Sequence, residues 1–375
     1  VQIALVGGRY RLEAMLAEGG MGEVWAASDT QTNARVAVKR LHRTRAQDRE
    51  LVHRFQREAR VVAALRSPHV ARVLDAGWDD AGPFIVMELL VGEDLDATLA
   101  RERRLAPDLA MRIIVHACTG LEAAHAAGIV HRDVKSSNLF VAENDASTRV
   151  VKLVDFGIAK LTTTERATKV QKLTRTGEVF GSPAYMSPEQ LRGADAVDAR
   201  TDLWSLGVVL FEMLTGQLPF RGEGVLALMR AIAEDPIPDA RDLVPDLPSG
   251  IVAVLYRALQ RDPADRYTSA REMRLAVEVL SGPGAPIDAS LFIAQQRDSA
   301  LPETRPADDT MMDAVPAPTT SRRMAARFGS YVVEGDRVLA PAPPPPAIAQ
   351  RRVRWWIAIV ALALVLAILI AMMLR

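Results

Sequence analysis

Cysteine is almost absent: the chain's 375 residues include one, Cys118. A single thiol excludes an internal disulfide framework and any zinc site built from cysteines, and it points to a folded part in a reducing compartment. Lysine is scarce as well. Of 46 cationic residues only six are lysine, so each one stands out against a background of arginine. Aromatic residues make up 5% of the chain, and no charge of one sign is in excess, 46 Lys+Arg facing 46 Asp+Glu. That balance argues against nucleic-acid binding through a whole-surface basic field and against an acidic solvating tail. What remains is a chain 49% hydrophobic and long enough for two ordinary domains.

The longest apolar run lies at the C-terminal end. Residues 355–374 (WWIAIVALALVLAILIAMML) carry no charge over 20 positions, and at about 1.5 Å per residue such a helix covers ~30 Å, the hydrocarbon thickness of a bilayer. A globular helix would show a polar face, and a secretion signal would stand at the other end. The run predicts a transmembrane helix. Arg351, Arg352 and Arg354 precede it and only Arg375 follows, which places residues 1–354 in the cytoplasm by the positive-inside bias. A tail anchor and a receptor whose outer part is not in this chain both fit. Residues 281–350 hold 11 of the 22 prolines, so 281–354 is expected to be a Pro-rich disordered juxtamembrane linker. Within it, 330–334 has strand-like composition but no sheet to join.

Residues 10–280 are left as the folded part. The first 80 residues or so, about 10–90, read as strands with one helix, and about 91–280 reads mostly as helices, which suggests two lobes. Residues 10–18, 23–29 and 35–41 are short β-type runs joined by turn chemistry. Ile113, Ala117, Leu121 and Ala124 mark a helix. Residues 203–214 (LWSLGVVLFEML) are apolar nearly all round, as in a helix at a domain centre.

Between the first two runs stands AEGGMGEV, residues 17–24, whose glycines would let backbone amides approach a phosphate. A plain hairpin turn explains the same glycines. The third run carries Lys39 after Val36, Ala37 and Val38. The helix that follows has an apolar stripe at Leu51, Phe55, Val62 and Leu65, with Glu58 falling on the same face. A carboxylate there needs a cation, and Lys39 is the nearest candidate by lobe geometry. Two polar clusters then interrupt apolar surroundings: IVHRDVKSSNLF at 129–140 and VKLVDFG at 151–157. The first supplies a proton acceptor (Asp133), a cation (Lys135) and an amide oxygen (Asn138). The second adds a metal-binding carboxylate (Asp155) and a turn at Gly157. Mg²⁺ takes few protein oxygens besides phosphate oxygens, and two such residues on separate loops suit it.

With these motifs in this order, residues 10–280 resemble a eukaryotic-type protein kinase, and specifically the membrane-anchored Ser/Thr kinases of bacteria. The resemblance implies an α+β fold of two lobes, a small β-rich N-lobe and a larger helical C-lobe. It implies that Ala17, Glu18, Gly19, Gly20, Met21 and Gly22 form a loop over ATP, and that Val24, Ala37 and Phe140 sandwich adenine. Glu88 to Leu90 would be the hinge, with Met87 as gatekeeper. Lys39 would hold the α- and β-phosphates and pair with Glu58. Asp133 would be the catalytic base and Lys135 would neutralise the γ-phosphate, while Asn138 and Asp155 would hold Mg²⁺. Asp202 would open the buried helix and Glu189 would pair with Arg266. Lys135 together with Ser182 is the combination of kinases that phosphorylate Ser and Thr. Three residues depart from the pattern: Ala17 for glycine, Ser136 for proline and Ser187 for alanine.

The resemblance also implies regulation and partners. Arg132 would read a phosphate on the activation segment at Thr174 or Thr176, which fits self-association for autophosphorylation. Thr304, Thr310, Thr319, Thr320 and Ser321 could, once phosphorylated, dock phosphothreonine-binding, forkhead-associated partners; inert linker hydroxyls are the other and favoured reading. Protein substrates, the lipid bilayer at the bacterial inner membrane and no nucleic acid complete the expected partners. His125 and His131 read as packing residues, and Cys118 as a small buried hydrophobe. The alternative from another class is an inactive pseudokinase acting as a membrane scaffold; the presence of Lys39, Asp133, Asn138 and Asp155 separates the two.

Overall fold

The structure, a computed structural model, describes residues 5–19, 22–41, 59, 62–156, 183–193, 197–281, 284 and 287–292. The alternating runs near the N-terminus form β1 (Leu5–Val6), β2 (Tyr10–Gly19), β3 (Gly22–Asp29) and β4 (Arg35–Leu41), joined later by β5 (Val73–Asp79) and β6 (Gly82–Glu88). They make a six-stranded sheet in the order β1-β2-β3-β4-β6-β5, every neighbour antiparallel. The β3–β4 turn is held by Asp29, whose carboxylate accepts from Arg9 at 2.7 and 2.8 Å, from Thr32 Oγ1 and from the Gln31 amide.

Register decides what each face does, because opposed residues and residues two apart share a face. Tyr10, Ala27, Val36, Val38, Phe84 and Val86 pack with Val6 into a small core. Val24 opposes Lys39 and Ala17, and Ala37 opposes Ala26 and Met87, so these six lie on the other face. The β2–β3 register shifts between Met15 and Ala17, a bulge just before the glycine loop. Glu58 lies outside the described residues.

The second lobe is helical: α1 (Leu95–Glu102), α2 (Pro107–Ala126), the short α3 (Pro188–Leu191), α4 (Arg200–Thr215), α5 (Val225–Glu234), α6 (Ser249–Ala258) and α7 (Ala270–Ser281). Helix α4 is the centre of the main core, with Leu203, Trp204, Leu206, Val208, Val209 and Leu210 all at 0% exposure. It stops at Gly216, in the left-handed conformation (φ 71°), where a Cβ would stand 2.6 Å from the Arg103 carbonyl oxygen. Asp202 and Glu212 are the two carboxylates on this helix, and a carboxylate in such surroundings must find donors.

A second sheet is antiparallel in the order β10-β9-β8-β7, from β7 (Gly92–Asp94), β8 (Leu139–Glu143), β9 (Thr148–Leu153) and β10 (Ile287–Asp288). The last strand corrects the expectation of a disordered linker from 281. Helix α7 runs to Ser281, and Ile287, at 0% exposure, pairs opposite Arg149. Ala289 N–H then donates to the Ser147 carbonyl at 2.8 Å, and Leu291 and Phe292 pack on the core. Proline content gave the linker expectation, but Ile287 has an apolar seat that composition does not reveal. Among the described residues no helix is long and apolar enough to cross a membrane. The expected span at 355–374 lies outside them, as does 293–354.

Candidate active site

The site is built on the two strand-flanked loops. His131 to Asn138 leads into β8, and Val154 to Phe156 follows β9. Asp202, fully buried, accepts from the His131 and Arg132 amides and from His125 Nε2, each at 2.8 Å. Those bonds hold Arg132 at φ 61°, a left-handed conformation rare outside glycine; Asp155 shares it at φ 54°. Two such residues at the two loops mark backbone held in place by its surroundings.

His131 ties one loop to the other. Its Nε2 lies 3.1 Å from the Val154 carbonyl and its Nδ1 accepts from the Asp133 amide at 3.3 Å, which fixes a neutral ring protonated on Nε2. Burial lowers its pKa against the pull of Asp202 and Asp133. The ring also sits 4.5 Å from Phe156. Val154 N–H donates to the Asn138 carbonyl at 3.0 Å, so Val154 is held on both sides just before Asp155. His125 and His131, expected to pack, are therefore also hydrogen-bonding struts.

The chemical groups meet around these loops. Lys39 Nζ is 2.6 Å from Asp155 Oδ1, which joins the N-lobe sheet to the second loop. Lys135 Nζ is 3.4 Å from Asp133 Oδ2. Asn138 donates from Nδ2 to the Asp133 carbonyl at 2.7 Å and to its Oδ2 at 3.2 Å. A cation, a proton acceptor, a second cation and two metal-suited oxygen donors thus come from three stretches of chain. The Lys39–Glu58 pair expected from the sequence involves a residue outside those described; the ion pair that Lys39 makes among the described residues is with Asp155. Gly20, Met21, Gly157, Thr174, Thr176 and Ser182 also lie outside them.

Above the loops, Val24, Ala37 and Lys39 share one sheet face with Met87. Phe140 on β8 is half-buried and pairs with Asp94. Glu88 accepts from Lys152 Nζ at 2.7 Å and from the Arg72 amide at 2.8 Å, a tether at the end of β6 that the sequence did not announce. Gly22 takes φ 148°, open to glycine at the exit of its loop. Glu18 and Gly19 close β2, Gly19 opposite Gly22, and Leu90 is half-buried beyond β6.

Below the loops, Arg266 donates to both Glu189 oxygens at 2.7 and 2.8 Å and to the carbonyls of Gln260, Arg200 and Arg261. Burial pushes the Glu189 carboxyl up, but the Arg266 guanidinium outweighs it and holds the pKa below its ordinary value. Gln190 Nε2 reaches the Arg132 carbonyl at 3.1 Å, so this segment also braces the loop from His131 to Asn138. Cys118 is buried at 0% exposure, and burial raises its thiol pKa, as expected of an inert side chain.

Comparisons with known proteins give the family of the chain. The family model described as the protein kinase domain matches residues 10–278. The serine/threonine-protein kinase PknA of Mycobacterium tuberculosis is 36% identical over 375 residues, covering 97% of this chain and 81% of the relative. The serine/threonine-protein kinase PknB of Mycolicibacterium smegmatis is 39% identical over 308 residues, covering 80% of this chain and 47% of that protein. The crystal structure of the PknI kinase domain of Mycobacterium tuberculosis superposes with a TM-score of 0.58 at 30% identity, covering 74% of this chain and 99% of that one.

Proposed function

The chain belongs to the protein kinase domain family, and on that footing we propose that it transfers the γ-phosphoryl group of ATP to serine and threonine hydroxyls of proteins in bacterial signalling. The observation that carries this reading is the pairing of Lys39 with Asp155 at 2.6 Å and of Lys135 and Asn138 with Asp133 at 3.4 and 3.2 Å, the two loops being joined by Val154 N–H on the Asn138 carbonyl at 3.0 Å. Asp133 accepts the proton of the attacking hydroxyl. Lys135, beside it, meets the charge of the transferring group, and Lys39 holds the α- and β-phosphates with Glu58 as its further partner. Catalysis of this kind is positioning plus charge stabilisation of an in-line transfer.

The donor set fits a hard divalent cation: one carboxylate, Asp155, and one amide oxygen, that of Asn138, whose Nδ2 is engaged with Asp133. Mg²⁺ held there would neutralise charge on the phosphate oxygens. Val24, Ala37 and Phe140 take the adenine ring, the backbone of Glu88 to Leu90 meets its edge, and residues 17–22 cover the phosphates. Phosphate at Thr174 or Thr176 orders the activation segment through Arg132, by transfer between self-associated copies. Phosphorylated tether residues recruit phosphothreonine-binding partners. The catalytic domain, 10–280 with the β10 segment added, continues through the linker to a single inner-membrane helix at 355–374, with the kinase on the cytoplasmic side.

One experiment addresses both activity and anchoring. Full-length chain in isolated membranes is given Mg-ATP and its phosphosites are mapped by mass spectrometry, beside Asp133→Asn and a chain lacking 355–374. The expected results are phosphate at Thr174 or Thr176 in wild-type membranes, none in Asp133→Asn, and active enzyme in the supernatant for the shortened chain. Phosphate at these sites in Asp133→Asn contradicts the assigned base, and a shortened chain still in the pellet contradicts the anchor.

A further inference from the structure

The two carboxylates of α4 meet the two ends of the catalytic loop. Asp202 holds its start, through the His131 and Arg132 amides. Glu212 stands ten residues on, about 15 Å along the axis at the α-helical rise. Its Oε2 accepts from the Ser136 hydroxyl and, at 2.7 Å, from the Tyr185 hydroxyl. The two hydroxyls are 3.2 Å apart. Ser136 is at 0% exposure and Tyr185 at 8%, so this junction is shielded from water.

Its position gives the junction a use. Ser136 opens the single 3₁₀ turn Ser136–Asn138, closed by Asn138 N–H on the Lys135 carbonyl at 2.9 Å. Lys135 precedes it with extended backbone (φ −165°, ψ 167°), so the chain changes direction between the lysine and Ser136. A proline at 136 would fix φ near −65° by its ring. Serine has no such lock, and here a side-chain bond to a buried carboxylate restrains the same joint. Tyr185, the other donor, belongs to the turn Pro183–Tyr185, a few residues before Glu189.

We propose that Ser136 is a positioning residue for phosphoryl transfer. Held by Glu212, it fixes the turn between Lys135 and Asn138 and couples that turn to the end of the activation segment at Tyr185. Without its hydroxyl the buried carboxylate loses a donor, and the turn loses its restraint. Lys135 and Asn138 then sample positions away from the transferring group, and small misplacements cost large factors in rate.

The proposal rests on the transfer reading above. Its test is steady-state phosphorylation of dephosphorylated casein by the full-length chain, comparing wild type with Ser136→Ala, Ser136→Pro and Ser136→Thr, well below each variant's melting temperature. The alanine variant is expected to lose about tenfold in kcat, with KM for ATP changed less than about twofold, and the proline variant, whose ring restrains the same joint, is expected to lose less than the alanine one. The threonine variant, which keeps the hydroxyl, is expected to hold at least half the wild-type kcat. Wild-type kcat in Ser136→Ala overturns the proposal, and so does a loss that vanishes on cooling, because a merely structural role predicts that. A wild-type chain that transfers nothing overturns the underlying reading, an outcome distinguishable from the other two.

Discussion

Ser187 stands where the resemblance leads one to expect alanine, and the structure shows the hydroxyl in use. It caps α3 in a capping box with Gln190 and lies 2.7 Å from the Thr201 hydroxyl on α4. Ala17 is similarly accommodated: it pairs with Val24 inside a strand and is not among the described non-glycine residues at positive φ, so its methyl costs no backbone strain. Asp94 is less comfortable. It caps α1 through Oδ1 to the Ala97 amide at 2.8 Å, while its buried Oδ2 has no hydrogen-bond partner among the described residues. Burial first, then the charges of Asp96 and Glu93, raise its pKa to about 6. Because the folded-state value exceeds the ordinary carboxylate value, the fold favours the protonated form. That contribution is fully present below about pH 4 and is lost as pH rises through about 6. Asp94→Asn keeps a capping acceptor and removes the titration. It is expected to be more stable than wild type at pH 7.5, by on the order of 2 kcal/mol, with the gap shrinking toward pH 4.5. Equal thermal melts at both pH values would contradict this. At this scale Asp133, Asn138 and Asp155 were legible because each sits in a short polar cluster amid apolar sequence, and Lys39 because it ends an apolar run in a lysine-poor chain. The Ser136–Glu212 and Lys152–Glu88 contacts were not, since their partners are 76 and 64 residues apart and no local pattern links them.

Among elements, the strands from 10 to 41 and helix α4 were legible because period-two alternation, turn residues and an all-round apolar run are local signals. Sheet order was not: β6 lies between β4 and β5, a matter of partner choice that periodicity leaves open. Strand β10 was hidden for a further reason, since it is two residues long and follows a proline-containing stretch. Its weight in the fold is measurable through Ile287, at 0% exposure. In the full-length chain Ile287→Val is expected to cost about 1 kcal/mol and Ile287→Asp more than about 2 kcal/mol, by denaturant unfolding. Wild-type stability in both variants would show that the strand is not part of the cooperative domain.

For the molecule as a whole, the proposed active site lies where the N-lobe sheet meets the loops of the helical lobe, and its groups come from both. Lys39 hangs from the sheet. Asp155 follows β9, whose Leu153 N–H and C=O bond the His69 carbonyl and the Ala71 amide, each at 2.9 Å, in the chain that returns to the N-lobe. Helix α4 holds the catalytic loop from beneath, and the Glu189–Arg266 pair locks the segment after it against α4, where Arg266 lies 5.1 Å over the Trp204 ring. The central claim is that these separated stretches act as one phosphoryl-transfer centre in which Asp155 is a metal-holding group. It is tested most directly by measuring casein phosphorylation against Mg²⁺ concentration for the full-length chain and for Asp155→Asn, with thermal melts as the folding control. The account predicts an on-the-order-of 100-fold loss of turnover and a higher half-saturating Mg²⁺ concentration in a variant that still folds. Wild-type turnover with an unchanged Mg²⁺ response in Asp155→Asn would contradict it.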